Sequence, residues 1–219
     1  MPDLAGAANP AIHYLLIHGS KDEGLPPAEA TALDDLIGQG PAASHELRVV
    51  PGVGGDWAGH ESTLAYAIGD WIWRRTQHTA PLGNCDAPPL PNLAHKLSVG
   101  SVRVDLSGCG GSSGEPVASS YARDAEDIRF VIEHLRHEQS VRLLKERARG
   151  ATPSGPPPQA VLGIVGVGTG GTAALRYAAL YPSDPVPFIA TISARASHAC
   201  PLRSLLNWGE IVKIGRAHV

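Results

Sequence analysis

The stretch "GIVGVGTGGTAALRYAA", residues 163 to 179, constrains this chain more than any other. A short apolar run enters a cluster of glycines, and a run of good helix formers leaves it. Apolar runs of this length suit buried strands, and the alanine- and leucine-rich run that follows suits a helix. Glycine lets the backbone turn sharply and lets a second segment approach closely, so the stretch reads as strand, tight turn, helix. A helix that starts at such a turn presents unpaired amides and the positive end of its dipole, which is where α/β proteins place ligands and chemistry.

Two readings of the turn stand side by side. Gly166, Gly168 and Gly171 spell G-x-G-x-x-G, the fingerprint of a dinucleotide-binding turn. The same residues fit G-x-S-x-G, the turn that exposes a catalytic serine, with Gly168 where the serine would stand. The first reading expects a carboxylate about 20 residues on, at the end of the next strand, to hold a ribose. That strand reads "PFIATISAR" and offers Ser193 and Arg195. Arg195 would suit a 2′-phosphate, which keeps an NADP-like ligand open.

The rest of the chain repeats the alternation. "AIHYLLIHG" (11–19) and "ELRVVPG" (46–52) are apolar runs closed by glycine and are expected as strands. Between them "PPAEATALDDLIGQG" has a proline start, helix formers and a glycine stop. From Glu61 to Trp73, the side chains Leu64, Ile68, Trp71 and Ile72 recur on one helical face. Residues 74–92 are proline-rich and polar and are expected as a linker. "NLAHKL" then reads as a helix end, "GSVRVDL" as a strand, and Tyr121, Ala125, Ile128, Ile132 and Leu135 as a helical stripe running into the charged "RLLKERARG". "ATPSGPPPQ" (151–159) is a second loop, "AVLGIVGV" a strand and 172–181 a helix. Such alternation predicts the α/β class, with a mainly parallel sheet flanked by helices.

Composition narrows the partners. The chain has 219 residues, 43% of them hydrophobic, enough for a substantial core. A net charge of −3 gives no electrostatic case for nucleic acid or for an anionic membrane. Neither a charged leader nor an apolar run of membrane-spanning length is seen, so a cytoplasmic protein is expected. Cys85, Cys109 and Cys200 lie far apart and signal neither a disulfide framework nor a metal site. No cofactor and no metal are expected on the serine-type reading.

Further motifs favour that reading. "RVDLSGCGGSSGE" (103–115) matches a D-x-x-G-x-G-x-S-x-G turn through Asp105, Gly108, Gly110, Ser112 and Gly114. Asp127, Ile128, Val131 and Ile132 fit the D-[IVL]-x-x-[VI]-[IV] pattern of a following helix. "LLIHGSKDEGLPP" resembles IHG-x-x-D-x-x-[VI]-P, with Asp22 in the aspartate position. "SHELRVVPGVGG" matches H-x-L-x-x-x-x-G-x-x-H through His45, Leu47 and Gly52, and Gly55 falls where the second histidine belongs.

With these four motifs the chain resembles the α/β-hydrolase superfamily, in its small-esterase or serine-aminopeptidase-like branch. The resemblance implies a small-molecule ester or amide substrate. It implies Asp22 as the acid that orients the base, Gly168 at the nucleophile position, Gly55 at the base position, and the Thr169 amide as an oxyanion donor. Nucleophile and base are both replaced by glycine. His60 is the nearest imidazole to the base position, although a histidine ahead of an amphipathic helix is more often solvent-facing. The resemblance therefore implies a related but inactive chain, a non-catalytic binding protein on the hydrolase fold being a further reading beside the dinucleotide one.

The order of the motifs departs from the family. Residues 11–73 resemble its C-terminal half and 93–213 its N-terminal half, so the fold is expected to be incomplete or permuted. A circular permutant, a fragment of two tandem domains and a frame joined in the wrong order are each compatible with this. The strands that would precede "NLAHKL" and bring a second oxyanion amide are missing. Residues 214–219, in "KIGRAHV", have no family counterpart and resemble a translated sequencing adapter. They are expected to be a non-native tail.

Overall fold

A computed structural model describes Leu4 and residues 8–76, 99–109, 111–114, 121–149, 161–196 and 211–217. Its strands are β1 (His13–Gly19), β2 (Ser44–Val50), β3 (Val99–Asp105), β4 (Gly163–Val167), β5 (Phe188–Ile192) and β6 (Ile211–Ala217). Its helices are α1 (Pro27–Gly38), α2 (Glu61–Thr76), α3 (Tyr121–Ala148) and α4 (Thr169–Leu180).

The six strands form one sheet in the order β2-β1-β5-β4-β6-β3. β2, β1, β5 and β4 are mutually parallel, and β6 runs antiparallel to both β4 and β3. The N-terminal segment and the segment beyond the linker meet at the β1–β5 pair, in register from His13 opposite Phe188 to Ile17 opposite Ile192. A mostly parallel α/β sheet flanked by helices is thus the observed architecture.

The sheet separates two apolar cores, as successive side chains of a strand point to opposite faces. On one face Tyr14 and Leu16 of β1 and Ile189 of β5 pack with Leu33 and Ile37 of α1, Ala125, Ile128, Ile132 and Leu135 of α3, and Ala173, Ala174 and Tyr177 of α4. On the other, Leu15, Ile17, Phe188, Ala190 and Ile192 pack against Leu64, Ile68 and Trp71 of α2. Strands covered on both faces need near-continuous apolar sequence, and "YLLI" and "FIATI" supply it. All five α3 stripe residues are buried.

Element boundaries shift from the sequence reading by a few residues. The turn at Gly168 closes so tightly that α4 begins at Thr169, three residues before the expected start. Helix α2 continues through Arg74 and Arg75 to Thr76, into the stretch expected as linker. Arg75 holds it there, since its guanidinium donates to Ser44 Oγ and lies over the Trp71 ring. The remainder of that linker, "NLAHKL", the 151–159 loop, Cys85 and Cys200 lie outside the described residues.

Residues 211–217 form β6, in the slot between β4 and β3. Two strand flanks would otherwise carry unpaired backbone amides and carbonyls, and an inserted strand of either direction satisfies them.

Candidate functional site at the carboxyl edge of the sheet

In open α/β sheets ligands gather beyond the carboxyl ends of the parallel strands. Here that edge carries the turns after Gly19 of β1, Val50 of β2, Val167 of β4 and Ile192 of β5. Asp22, Gly55, Gly168, Thr169 and Ser193 all lie on these turns.

Gly168 has φ +58° and ψ −123°, a combination outside the regions open to L-residues without strain. Its amide donates to Ile192 O at 2.9 Å, which ties the turn to β5, and its carbonyl accepts from the amides of Gly171 and Thr172. The neighbouring glycines are fixed by close approach. A Cβ on Gly166 would lie 2.4 Å from Gly170 O, and one on Gly171 would lie 2.9 Å from the Ala194 methyl. A Cβ on Gly168 would meet nothing within 4 Å, so this position faces open space.

Beside it, Thr169 is 7% exposed, and its buried hydroxyl has no hydrogen-bond partner. Sequence reading noted only its amide. An orphaned hydroxyl depends on which neighbours surround it, and the sequence carries no sign of that.

Asp22 sits in the β1–α1 loop and is nearly buried. Its Oδ1 accepts from the amides of Gly24 (3.1 Å) and Leu25 (2.8 Å), so the local turn holds the carboxylate in place. His18, fully buried on β1, donates from Nε2 to Leu25 O at 2.8 Å and lies 4.0 Å from Asp22 Oδ2. That bond puts the proton on Nε2 and leaves Nδ1 buried without a partner.

Gly55 comes to the same carboxylate. A Cβ built on it would fall 2.7 Å from Asp22 Cγ and from both carboxylate oxygens. The position matched to the base and the one matched to the acid are therefore neighbours, 33 residues apart in sequence.

His60 is placed differently. Its amide donates to Trp57 O and its carbonyl accepts from Leu64 N, so it starts α2. No contact with Asp22 or Gly168 is found among the described residues. His45 also has a local task, pairing through Nδ1 with Asp34 Oδ1 of α1 at 2.8 Å.

The edge is braced from behind by residues the sequence did not single out for this. Trp57, with φ +55°, donates its indole N–H to Ser193 Oγ at 3.1 Å. Ser193, with φ +49°, donates its amide to Ile17 O. The turns after β2 and β5 are thereby joined to each other and to β1. The Thr172 hydroxyl exchanges hydrogen bonds with the Arg195 backbone, and Glu29 Oε2 accepts from Ala196 N, which fixes the segment after β5 against α4 and α1.

The second glycine turn is self-contained. Asp105 Oδ2 accepts from Gly111 N, Ser112 Oγ donates to Asp105 O, and Asp127 accepts from both the amide and the hydroxyl of Ser107. Burial and then the Asp127 charge push the Asp124 carboxyl up to about 6. Among the described residues no group of three His, Cys, Asp or Glu side chains is placed to hold a metal ion, and no helix is long and apolar enough to cross a membrane.

No protein-family model, curated protein or solved structure matches this chain.

Proposed function

We propose that the chain is a protein of the α/β-hydrolase kind, related to serine esterases and peptidases acting on ester or amide bonds, whose own catalytic turn lacks nucleophile and base. The observation that carries this reading is the Gly168 turn. Its dihedrals, its glycine neighbours and its open space are those that a G-x-S-x-G turn needs in order to hold a serine hydroxyl out over a sheet. Asp22 against Gly55 supplies the matching acid–base pair of positions at the same edge.

With glycine at 168 there is no hydroxyl to add to a carbonyl, and with glycine at 55 there is no imidazole to take a proton from one. Asp22 alone orients nothing. The chain as it stands binds rather than turns over, which makes it a non-catalytic relative on the hydrolase fold. Function follows the site rather than the scaffold.

The test is labelling of the unmodified protein with a fluorophosphonate probe, which counts activated serines. No labelling is expected. Robust labelling, traced to Ser112 or Ser113 of the neighbouring turn, would overturn the assignment of the elbow to Gly168.

A dinucleotide reading rests on the same turn, which opens a helix as a pyrophosphate cradle does. The end of β5, the strand adjoining β4, carries Ser193 and Arg195 where a ribose-holding carboxylate would stand. NAD and NADP are expected to leave the melting temperature unchanged. A ligand present at 100 times its dissociation constant would stabilise the protein by about 2.7 kcal/mol, and a saturable shift of that size would favour the dinucleotide.

A further inference from the structure

We propose that β2 is a docking edge for a second copy of this chain, joined antiparallel about a two-fold axis at Leu47, so that one sheet runs through both copies. The inference stands on this outer strand and on neither reading of the glycine turn.

Among the described residues β2 pairs only with β1, which leaves its other side at the edge of the sheet. Ser20 N–H donates to Val50 O, and Gly19 stands opposite Val50, so the even-numbered residues from Ser44 to Val50 turn their peptide groups toward β1. Those of His45, Leu47 and Val49 face outward. An outward row of this kind is a template for another strand, and proteins that avoid such pairing shorten the strand, bulge it or set a proline in it. β2 has none of these guards, since its seven residues hold unbroken register with β1 and include no proline. Val49 is 41% exposed on it.

The sequence of the strand selects the occupant. Leu47 is the middle residue of Ser44–Val50, so an antiparallel copy turned about it overlaps the strand over its full length. Leu47 then faces Leu47, His45 faces Val49, and Glu46 faces Arg48 on both sides of the axis. The outward groups of His45, Leu47 and Val49 meet as hydrogen-bonded pairs in this register, whereas Glu46 and Arg48 fall at non-hydrogen-bonded positions, where Cα atoms lie about 4.5 Å apart and side chains are closest. Unlike charges directly opposite support a sheet, and like charges weaken it. An axis moved by one residue, to Glu46 or to Arg48, would set two carboxylates or two guanidiniums face to face. The register that uses the whole strand is also the one that pairs its charges, which is the self-complementarity a two-fold interface requires.

The side chains are held ready for it. Arg48 donates from Nε to Glu46, from Nη1 to Ala67 O and from Nη2 to Asp70, which fixes it on the α2 side of the strand and leaves part of its five-donor fork for Glu46 of the second copy. Leu47 already packs on the α1-side core, and the axis brings a second leucine beside it.

The experiment is sedimentation equilibrium of the full chain and of Val49→Pro, with cross-linking to read the register. The parent should sediment as a dimer at high micromolar concentration. Val49→Pro removes an outward amide and sets a ring in the path of the second strand, yet costs the β1–β2 ladder no donor, an orientation in which outer strands accept proline. It should keep the far-ultraviolet circular dichroism of the parent and raise the dimer dissociation constant at least tenfold, since the two-fold axis doubles each lost hydrogen bond. Under mild oxidation Leu47→Cys should form a dimer linked from 47 to 47, identified by peptide mass mapping, because opposed Cα atoms about 5.5 Å apart suit a disulfide. Val49→Cys should not link to itself, as its two copies stand four residues, about 13 Å, apart along the strands. A parent that stays monomeric, a folded Val49→Pro as dimeric as the parent, or linkage through 49 and not 47 would overturn the proposal. The cysteine pair decides the register even where the proline variant does not fold. A fluorophosphonate result of either sign leaves these outcomes untouched, so this inference and the hydrolase reading fail separately.

Discussion

Gly55 lies against Asp22 so closely that a Cβ on the glycine would stand 2.7 Å from both carboxylate oxygens. The carboxylate cannot retreat freely, since the Gly24 and Leu25 amides hold Oδ1. Any side chain introduced at 55 therefore begins in contact with an anchored anion. Gly55→Leu should be destabilised, because an apolar group would press on a carboxylate that has to stay solvated or hydrogen-bonded, whereas a group able to donate to it is better tolerated.

The glycines of the β4–α4 turn should lose stability to different degrees on the same change. Gly166→Ala drives a methyl into the Gly170 carbonyl, a backbone atom that cannot rotate aside, and overpacking of this kind costs about 1–3 kcal/mol. Gly168→Ala meets no atom and carries only the strain of a φ of +58°, on the order of 1 kcal/mol. Urea denaturation of the two variants checks the ranking. Equal losses would show that the turn is looser than described.

Trp57 is the brace of the edge. Trp57→Phe keeps most of the ring in the α2-side core but leaves Ser193 Oγ without its indole donor, at an expected cost of about 1 kcal/mol. The paired change Trp57→Phe with Ser193→Ala should recover part of the loss, as both polar partners are then gone. A thermodynamic cycle over the four proteins measures the coupling.

A pH dependence follows from Asp124. Burial and the neighbouring Asp127 push its carboxyl up to about 6 from a reference of 3.8. A carboxyl with a raised folded-state value contributes its stability below the unfolded value and loses it as pH rises through the folded one. The window therefore runs from about 4 to about 6, with stability falling as pH increases across it. Asp124→Asn should raise the melting temperature more at pH 7 than at pH 4.5. The gain is on the order of 1 kcal/mol, since the group is partly open to solvent that screens the effect. An equal gain at both pH values would contradict the assignment.

Much of this architecture can be read from the chain. "YLLI", "FIATI" and the α3 stripe announce elements buried on a defined face, because burial on one or both sides of a sheet leaves a period in the sequence. The carboxyl-edge position of Asp22 and Gly168 follows from their places just after strands. What stayed illegible depends on long-range neighbours. The indole of Trp57 reaching Ser193, the orphaned Thr169 hydroxyl and the insertion of 211–217 between β4 and β3 are set by which segments meet, and local pattern carries no trace of that. The glycine turn itself supports two readings because both chemistries ask for the same thing, a backbone close enough to present its amides.

The most direct test of the central claim is p-nitrophenyl acetate hydrolysis by the unmodified chain, by Gly168→Ser, and by Gly168→Ser combined with Gly55→His. The unmodified chain has neither group and should be silent. Gly168→Ser alone should remain silent, since a hydroxyl without a base is a weak nucleophile at neutral pH and triad members act as a unit. The double variant places an imidazole against Asp22 and a hydroxyl on the strained turn, and should give detectable turnover with a serine that a fluorophosphonate probe labels. It should be slow, because an oxyanion held by the Thr169 amide alone forgoes about 10² to 10³ in rate. Turnover in the double variant, lost again on Asp22→Asn, is the predicted result. A double variant that folds cooperatively and neither hydrolyses the ester nor takes the label would contradict the account.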